Sequence, residues 1–298
     1  MSILVDDDTK VLVQGITGRE ASEKVPEMVE YGTDVVAGVT PGKGGQDVEG
    51  IPVYDTVSEA LEEHPGINAS LLYVPPFAAK DAAFEAMENG IDFLNVITEK
   101  IPTKDAWAIV QKAEKKDVTI VGPTSVGIIT PGECKLGPIG GNQPENVYRK
   151  GKIGVISKSG GMTTETSWVI RQAGFGISTA VGLGGDVIAG TTFEDALEMF
   201  EEDDETEAVV LFGELGGTYE EKAAELLEDG GFTKPLVAFI AGRFTENLPS
   251  KQYGHAGAII RGDRGTPSHK RKALEDAGAR VVDVHHEIGE ELKKIFDR

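Results

Sequence analysis

A strand, a glycine turn and the start of a helix follow one another in Lys10-Val11-Leu12-Val13-Gln14-Gly15-Ile16-Thr17-Gly18-Arg19-Glu20-Ala21. The turn directs free backbone N–H groups and the positive end of a helix dipole toward one point, where an anion is stabilised. In α/β proteins such a turn binds the phosphate of a nucleotide-like ligand. The stretch therefore predicts an α/β fold whose first loop is a phosphate site.

Apolar strands and amphipathic helices alternate along the rest of the chain, which is typical of parallel sheets with crossover helices. The predicted strands of the first half are Lys10–Gln14, Asp34–Val39, Ala69–Val74, Asp92–Ile97 and Val118–Val121. Those of the second half are Lys152–Ser157, Ile177–Val181, Ala208–Phe212, Leu236–Ile240 and Ala279–Val282. The predicted helices are Asp81–Asn89, Asp105–Lys116, Thr163–Gln172, Thr192–Glu201, Tyr219–Leu227 and Pro267–Ala277.

The domain boundary is expected near residue 150. Residues 122–150 are rich in Gly and Pro, which predicts a linker with an edge strand. We therefore expect a Rossmann-like domain in residues 1–150, linker included, and a flavodoxin-like parallel α/β domain in residues 151–298. Trp107 follows the helical spacing of its apolar neighbours, so we expect it in the core.

The charge of the chain excludes some functions. Its 298 residues include 50 Asp and Glu against 29 Lys and Arg, a formal net charge of −21. Such a surface repels nucleic acids and anionic membranes, and it suits a salt-rich cytosol, so we expect a halophilic host. We expect the single cysteine, Cys134, to be a small buried residue. With neither a secretion signal nor an apolar run of about 20 residues, the chain is predicted to be cytoplasmic.

A second glycine loop, Thr40-Pro41-Gly42-Lys43-Gly44-Gly45, follows the second predicted strand. Neither loop completes the G-x-G-x-x-G fingerprint, and the second strand lacks the acid that would bind a nicotinamide ribose. These absences argue against an NAD-dependent oxidoreductase. A lysine on a glycine loop suits a phosphate, so the two loops indicate a nucleotide-like ligand with an extra phosphate. Two ordinary surface turns are the alternative.

The second half repeats the strand–glycine–helix pattern in Ser157-Lys158-Ser159-Gly160-Gly161-Met162-Thr163-Thr164, whose helix start is another anion site. Lys158 either adds charge to this site or is simply solvated. Glu214 stands at the carboxyl end of a later strand, where the ligands of α/β proteins collect. It is either a solvated turn acid or the partner of a histidine.

That histidine is His255, in the loop Gly254-His255-Ala256-Gly257-Ala258-Ile259-Ile260. Small neighbours leave the imidazole accessible, and the glycines let the backbone move or approach a ligand closely. A histidine that receives a chemical group and carries it elsewhere has these requirements. Glu214 would accept a hydrogen bond from one ring nitrogen while the other meets an electrophile. A surface-loop histidine without function is the alternative.

Some kinds of site are missing from the sequence. There is no G-x-x-x-x-G-K-[ST] P-loop, so a nucleotide that phosphorylates His255 is expected on another chain. No spacing of Cys, His and Asp is typical of a metal site. The remaining histidines stand in polar surroundings and are assigned no function: His64, His269, His285 and His286.

Taken together, the motifs resemble the alpha subunits of succinyl-CoA synthetase (succinate–CoA ligase) over nearly the whole chain. The resemblance rests, in order, on Met1–Val5, Gln14–Gly18, Gly38–Gly45, Ile97–Glu99, Ile129–Lys135 and Gly254–Ile260. It implies a Rossmann-like CoA-binding domain followed by a flavodoxin-like ligase domain. The implied reaction, a step of the tricarboxylic acid cycle, interconverts succinate, CoA and nucleoside triphosphate with succinyl-CoA, diphosphate and phosphate.

The resemblance also implies roles for individual positions. CoA is bound through Thr17, Gly18, Arg19, Glu20, Lys43, Ile97, Thr98 and Glu99. His255 is phosphorylated and Glu214 positions it. Half of a phosphate cradle is formed by Ser159, Gly160 and Gly161. A beta subunit, in a heterodimer or heterotetramer, supplies the other half and an ATP-grasp domain for the nucleotide and its Mg²⁺.

The implied chemistry agrees with the residues. A carboxylate reacts usefully with a thiol only after it becomes an acyl phosphate, and a neutral imidazole can relay the phosphoryl group. Helix dipoles stabilise phosphohistidine by opposing its charge. On a glycine loop, His255 can shuttle between a nucleotide site and a CoA site.

A few positions depart from the family. The usual Asn-Cys-Pro tract is Thr124-Ser125-Val126, a family tyrosine is Thr164, and Arg19-Glu20 replaces a small polar pair. Ser125 and Thr164 border the implied acyl site, so malate–CoA ligase or another acyl-CoA ligase is an alternative. A non-catalytic CoA-binding regulatory module is a second one. The choice between ATP and GTP lies with the partner.

Overall fold

The computed structural model describes residues 2–247 and 265–296, which form two α/β units. The first unit has strands β1 (Lys10–Gln14), β2 (Asp34–Val39), β3 (Asp47–Val48), β4 (Ile51–Tyr54), β5 (Ala69–Leu72), β6 (Phe93–Val96) and β7 (Thr119–Val121). Its helices are α1 (Arg19–Tyr31), α2 (Val57–Glu63), α3 (Ala79–Glu88) and α4 (Thr103–Lys116).

The second unit follows the same alternation. Its strands are β8 (Gly127–Thr130), β9 (Cys134–Leu136), β10 (Lys150–Ser157), β11 (Ile177–Gly182), β12 (Ala208–Gly213), β13 (Leu236–Ile240) and β14 (Arg280–Val281). Its helices are α5 (Gly160–Gln172), α6 (Phe193–Glu202), α7 (Tyr219–Glu228), α8 (Pro267–Asp276) and α9 (Ile288–Phe296).

Strand order confirms the predicted fold class. The first sheet runs β3-β4-β2-β1-β5-β6-β7, and its parallel strands have the order of a Rossmann fold. The second runs β14-β13-β12-β10-β11-β8-β9, and its parallel strands have the flavodoxin order. In each sheet the order reverses beside the first parallel strand, between β1 and β5 and between β10 and β12. Ligands of open α/β sheets bind at such switch points.

The segment predicted as a linker contains the hairpin β8–β9. β8 pairs antiparallel with β11, so the hairpin lies on the edge of the second sheet. The domain boundary near residue 150 stays a prediction. Cys134 in β9 is buried as expected, and burial raises the pKa of its thiol to about 12.

Apolar strands buried on both faces and the inner faces of the helices form the core. One cluster of buried residues joins the two sheets, with Val13 and Ile97 from the first unit and Val181 and Leu211 from the second. Trp107 is not part of the core. Its position in α4 leaves it 56% exposed, because the buried stripe of that helix is Ala106, Ile109 and Ala113, so the expectation for Trp107 was wrong.

No helix within residues 2–247 and 265–296 combines the length and apolar character needed to cross a bilayer. The predicted phosphohistidine, His255, lies outside the described residues.

Candidate active site

The turn after β1 is built around glycines that no other residue replaces easily. Gly15 has a φ of +82°, and a Cβ there would stand 2.9 Å from the Tyr73 carbonyl oxygen of the neighbouring strand end. Gly18 donates its N–H to the Gly15 carbonyl at 2.9 Å and is the N-cap of α1, with no side-chain cap. The first N–H groups of α1 therefore have no side-chain cap, an arrangement that suits an anion.

A second wall comes from the ends of β5 and β6. Tyr73 donates its N–H to the Gln14 carbonyl, so the Tyr73–Pro76 loop lies beside the glycine turn. The Thr98 hydroxyl donates to the Val74 carbonyl at 2.8 Å and ties the Ile97–Glu99 segment to that loop. The glycine turn and these two segments line one pocket.

The tract Thr124-Ser125-Val126 closes the pocket from the side of the second unit. The Ser125 N–H donates to the Val96 carbonyl of the first sheet, and the Ser125 hydroxyl donates to the Gly182 carbonyl of the second at 2.6 Å. The same hydroxyl oxygen accepts from Asn95 Nδ2 at 3.0 Å. Ser125 thus borders the pocket, but its hydroxyl is occupied in joining the two sheets.

Thr124 has a φ of +61°, in the left-handed region, and its hydroxyl donates to Asp186 at 3.0 Å. Asparagine adopts this conformation more readily than threonine. Threonine at this position therefore carries a local conformational cost, and its side chain is held by the hydrogen bond to Asp186.

The start of α5 lines the same pocket. Ser159 is the N-cap without a side-chain bond, and Gly160 lines the pocket. A Cβ on Gly160 would stand 2.8 Å from Val126 Cβ, so close packing requires glycine there. The N-terminus of a second helix is therefore presented to the same cavity, again with no side-chain acceptor on its N-cap.

Lys158, next to this helix start, is only 3% exposed and lines the pocket, so the solvated interpretation of this lysine was wrong. Its Nζ lies 4.7 Å from the centroid of the Tyr219 ring. Desolvation by burial lowers the pKa of Lys158, against the opposing effects of Glu220 and Glu214.

Glu214 follows β12, which pairs directly with β10. Its N–H donates to Glu220 Oε1 at 3.0 Å, and its carbonyl accepts from Lys270 Nζ at 2.8 Å. Side chains of α7 and α8 therefore fix the backbone of the Glu214 loop, which lies at the switch point of the second sheet.

Most of the site residues predicted from the sequence line one pocket. Its volume of about 880 Å³ is within the range of small-molecule sites. Those lining it are Thr17, Gly18, Arg19, Glu20, Ile97, Thr98, Glu99, Ser125 and Gly160. Those that do not line it are Lys43, Ser159, Gly161, Thr164 and Glu214. Lys43 is exposed on its glycine loop, and Thr164 makes a 3.1 Å hydrogen bond with the buried Tyr148 hydroxyl.

Sequence reasoning missed part of the lining. The residues it did not select include Tyr73, Val74, Pro75, Pro76 and Pro138. The first four directly follow β5, so the rule that loops on both sides of a switch point form the site would have found them once strand order was known.

The prediction that His285 stands in polar surroundings was also wrong. Its ring packs edge-on against Phe212 and Phe239, and its Nε2 lies 2.9 Å from the Thr166 hydroxyl. In the described part of the chain, no group of three or more His, Cys, Asp or Glu side chains is arranged to hold a metal.

Two protein-family models match the chain, that of the CoA binding domain over residues 6–100 and that of CoA-ligase over residues 156–280. The alpha subunit of ADP-forming succinate–CoA ligase from Aquifex aeolicus is 50% identical over 99% of this chain and 95% of its own length. The chain belongs to the succinate–CoA ligase alpha-subunit family. The resemblance inferred from the motifs is thereby confirmed.

One further relative and one solved structure are similar to this chain. A subunit of the ADP-forming sulfoacetate-CoA ligase of an Acholeplasma species is 46% identical over 99% of this chain and 98% of its own. The structure of Methanosaeta concilii ATP citrate lyase with (3S)-citryl-CoA superposes with a TM-score of 0.92 at 28% identity. It matches 99% of this chain, which spans half of that longer protein.

Proposed function

We propose that this chain is the alpha subunit of a cytoplasmic succinate–CoA ligase, which binds CoA and carries a phosphoryl group on His255. One observation supports the proposal above all. A single pocket extends from the N-terminus of α1, at the first switch point, to Gly160 at the start of α5, beside the second. A thioester-forming enzyme of this type requires a CoA phosphate site and a phosphoryl-transfer site that open into one space.

The pocket suits CoA. Backbone N–H groups at the start of α1 have no side-chain cap and are available to a phosphate. The Thr17 hydroxyl bonds to Thr40 at 3.2 Å and ties the two glycine loops of the first unit together. Lys43, exposed on the second of these loops, is proposed to meet a further phosphate of the CoA nucleotide.

In the direction of thioester synthesis, a succinate carboxylate oxygen attacks the phosphorus of phosphorylated His255. The P–N bond breaks, and its electron pair returns to the imidazole. The CoA sulfur then attacks the acyl carbon of succinyl phosphate, the C–O bond breaks, and inorganic phosphate leaves with the thiol proton. The N-terminus of α5 stabilises the transferring charge, and Glu214 orients the imidazole.

The nucleotide is proposed to bind a beta subunit, through an ATP-grasp domain that also holds Mg²⁺. No P-loop occurs in this chain, so the nucleotide and the CoA site are assigned to different subunits. Between the two sites His255 would travel on its glycine loop.

The test is labelling of the complex obtained by co-expression with the beta chain. With γ-³²P-labelled ATP or GTP, we expect acid-labile, alkali-stable label on the wild-type alpha chain and none on His255→Asn. His286→Asn is the matched control, because His286 is exposed and has no assigned role, and it should label like the wild type. A complex that binds CoA but never takes up label would leave only the non-catalytic CoA-binding module.

The acid is tested separately. We expect CoA thioester formation with succinate to exceed that with malate, acetate or sulfoacetate. A clear preference for another of these acids would contradict the assignment to succinate while leaving the phosphorelay intact.

A further inference from the structure

Lys158 occupies an unusual position for a lysine. It directly follows β10, whose last residue, Ser157, pairs with Phe212 of β12, so it lies beside the strand end that leads to Glu214. It precedes the N-cap of α5, lines the pocket and is 97% buried. A lysine is rarely buried to this extent without a partner.

Among the residues that the structure describes, no side chain forms an ion pair or a hydrogen bond with this ammonium group, and Glu220 and Glu214 act on it only at longer range. Its Nζ donates no hydrogen bond there, and no carboxylate oxygen lies within 4.0 Å; its close contact is the face of Tyr219. The neighbouring buried Lys270, by contrast, pairs with Glu220 and donates to two backbone carbonyls. An unpaired buried charge is unfavourable, so a site that retains one fits an anion that arrives with the substrate.

The surroundings indicate which anion this is. The N-terminus of α5 adds its positive dipole end to the same wall of the pocket, and Gly160 opens that helix start to the cavity. Of the residues that line the pocket, Arg19 and Lys158 are the basic ones, and the Arg19 side chain is 91% exposed and paired with Glu23 at the other helix. The buried positive charge therefore lies at the phosphoryl end and not at the α1 end.

We propose that Lys158 is a catalytic residue that binds the phosphoryl oxygens while the group passes between His255 and the acid in the CoA pocket. This inference rests on the proposed phosphorelay and adds a residue to it. In the direction of thioester cleavage, a phosphate oxygen attacks the succinyl carbon, the C–S bond breaks and CoA leaves as thiolate. The His255 nitrogen then attacks phosphorus, the P–O bond breaks and succinate leaves. Lys158 holds the phosphate throughout these steps as a point charge.

Two partial reactions of the complex with its beta subunit separate this role from others. His255 can be labelled from γ-³²P-labelled nucleotide, which uses the nucleotide site, or from succinyl-CoA with ³²P-phosphate, which uses the CoA pocket. For Lys158→Met we expect nucleotide labelling within about twofold of wild type. Labelling from phosphate should fall about tenfold to a hundredfold, with a higher KM for phosphate, because a hydrogen bond between two charged groups is lost.

Controls make the result specific. Lys158→Arg keeps the charge and should retain most phosphate labelling, whereas Lys158→Gln should behave like Lys158→Met. Lys152→Met removes a lysine of β10, the strand that precedes Lys158; its side chain is 64% exposed, and the change should affect neither reaction.

Three outcomes would overturn the inference. Lys158→Met could label from phosphate as wild type does, or it could lose both labelling routes equally in complexes that melt normally, which indicates a structural role. It could also weaken CoA binding with the KM for phosphate unchanged, which indicates a contact to CoA instead. Absence of label in the wild type by either route would instead contradict the proposed function itself, so the two failures are distinguishable.

Discussion

Lys270 of α8 and Glu220 of α7 form an ion pair that is fully shielded from solvent and supports the loop that carries Glu214. Both side chains have zero exposure. Lys270 Nζ also donates to the carbonyls of Glu214 and Gly216, at 2.8 and 2.5 Å, and Glu220 accepts the Glu214 N–H. The pair thus satisfies three backbone groups of one loop at the switch point of the second sheet.

Removing one member of this pair should destabilise the protein strongly. Lys270→Met leaves the Glu220 carboxylate buried without its cation, and we expect a loss of about 3–5 kcal/mol in the free energy of unfolding. Denaturant unfolding measures this change. The double variant Lys270→Met/Glu220→Gln should recover part of the loss, because no buried charge remains, and equal stability of the single and double variants would contradict the account.

Gly15→Ala should weaken CoA binding. At a φ of +82° any side chain is strained by about 1–2 kcal/mol, and here the new methyl group would also press on the Tyr73 carbonyl and distort the phosphate turn. We expect CoA affinity, measured by titration calorimetry, to fall at least about tenfold, or about 1.4 kcal/mol. Gly90→Ala is the matched control, with a φ of +84° and open space around it; it should lose stability but not CoA affinity.

His285 should make stability fall in mild acid. Burial against Phe212 and Phe239 lowers the pKa of His285 below its usual 6.5, while Glu165 opposes and His286 reinforces the shift. As pH falls through about 6.5 the unfolded chain takes up a proton before the folded one does, so stability present above that pH is lost below it. Between pH 7.5 and pH 5.5, the melting temperature of the wild type should fall further than that of His285→Gln. An equal drop in both proteins would refute the assignment.

Salt should stabilise the fold. With a net charge of −21, the carboxylates of the folded chain repel one another. The screening length of this repulsion grows from about 3 Å at 1 M salt to about 10 Å at 0.1 M. We expect the melting temperature to fall as KCl is reduced from about 3 M to about 0.1 M, as measured by circular dichroism. Unchanged melting and unchanged ligase activity at the lower concentration would count against adaptation to a salt-rich cytosol.

The fold was largely predictable because most of its strands are buried on both faces and therefore stand out as apolar runs. The predicted β1, β2 and β13 match the observed bounds, and most other strands differ by one or two residues at an end. The prediction that Trp107 lies in the core was wrong because helical spacing alone does not reveal which face of α4 meets the sheet. The hairpin β8–β9 was predicted only as one edge strand in a Gly- and Pro-rich linker, since β11, the strand with which β8 pairs, is distant in sequence.

The candidate site was predictable only in part. Its glycine turns are visible because glycine has few alternatives at a helix start that faces an anion. The Tyr73–Pro76 wall and the burial of Lys158 were not visible, because both depend on which strands become neighbours. The sequence Lys158-Ser159-Gly160 is compatible both with a solvated ammonium group and with one that packs against the Tyr219 ring.

Sequence alone determined the alternation of elements, the family and the positions of the two helix starts, because apolar periodicity and glycine turns are local properties of the chain. Tertiary structure decided that these two helix starts open into one pocket, that Lys158 lies buried without a carboxylate partner among the described residues, and that Lys270 and Glu220 support the Glu214 loop. Each of these depends on strand order, which brings together segments tens of residues apart and is set by the packing of the whole core.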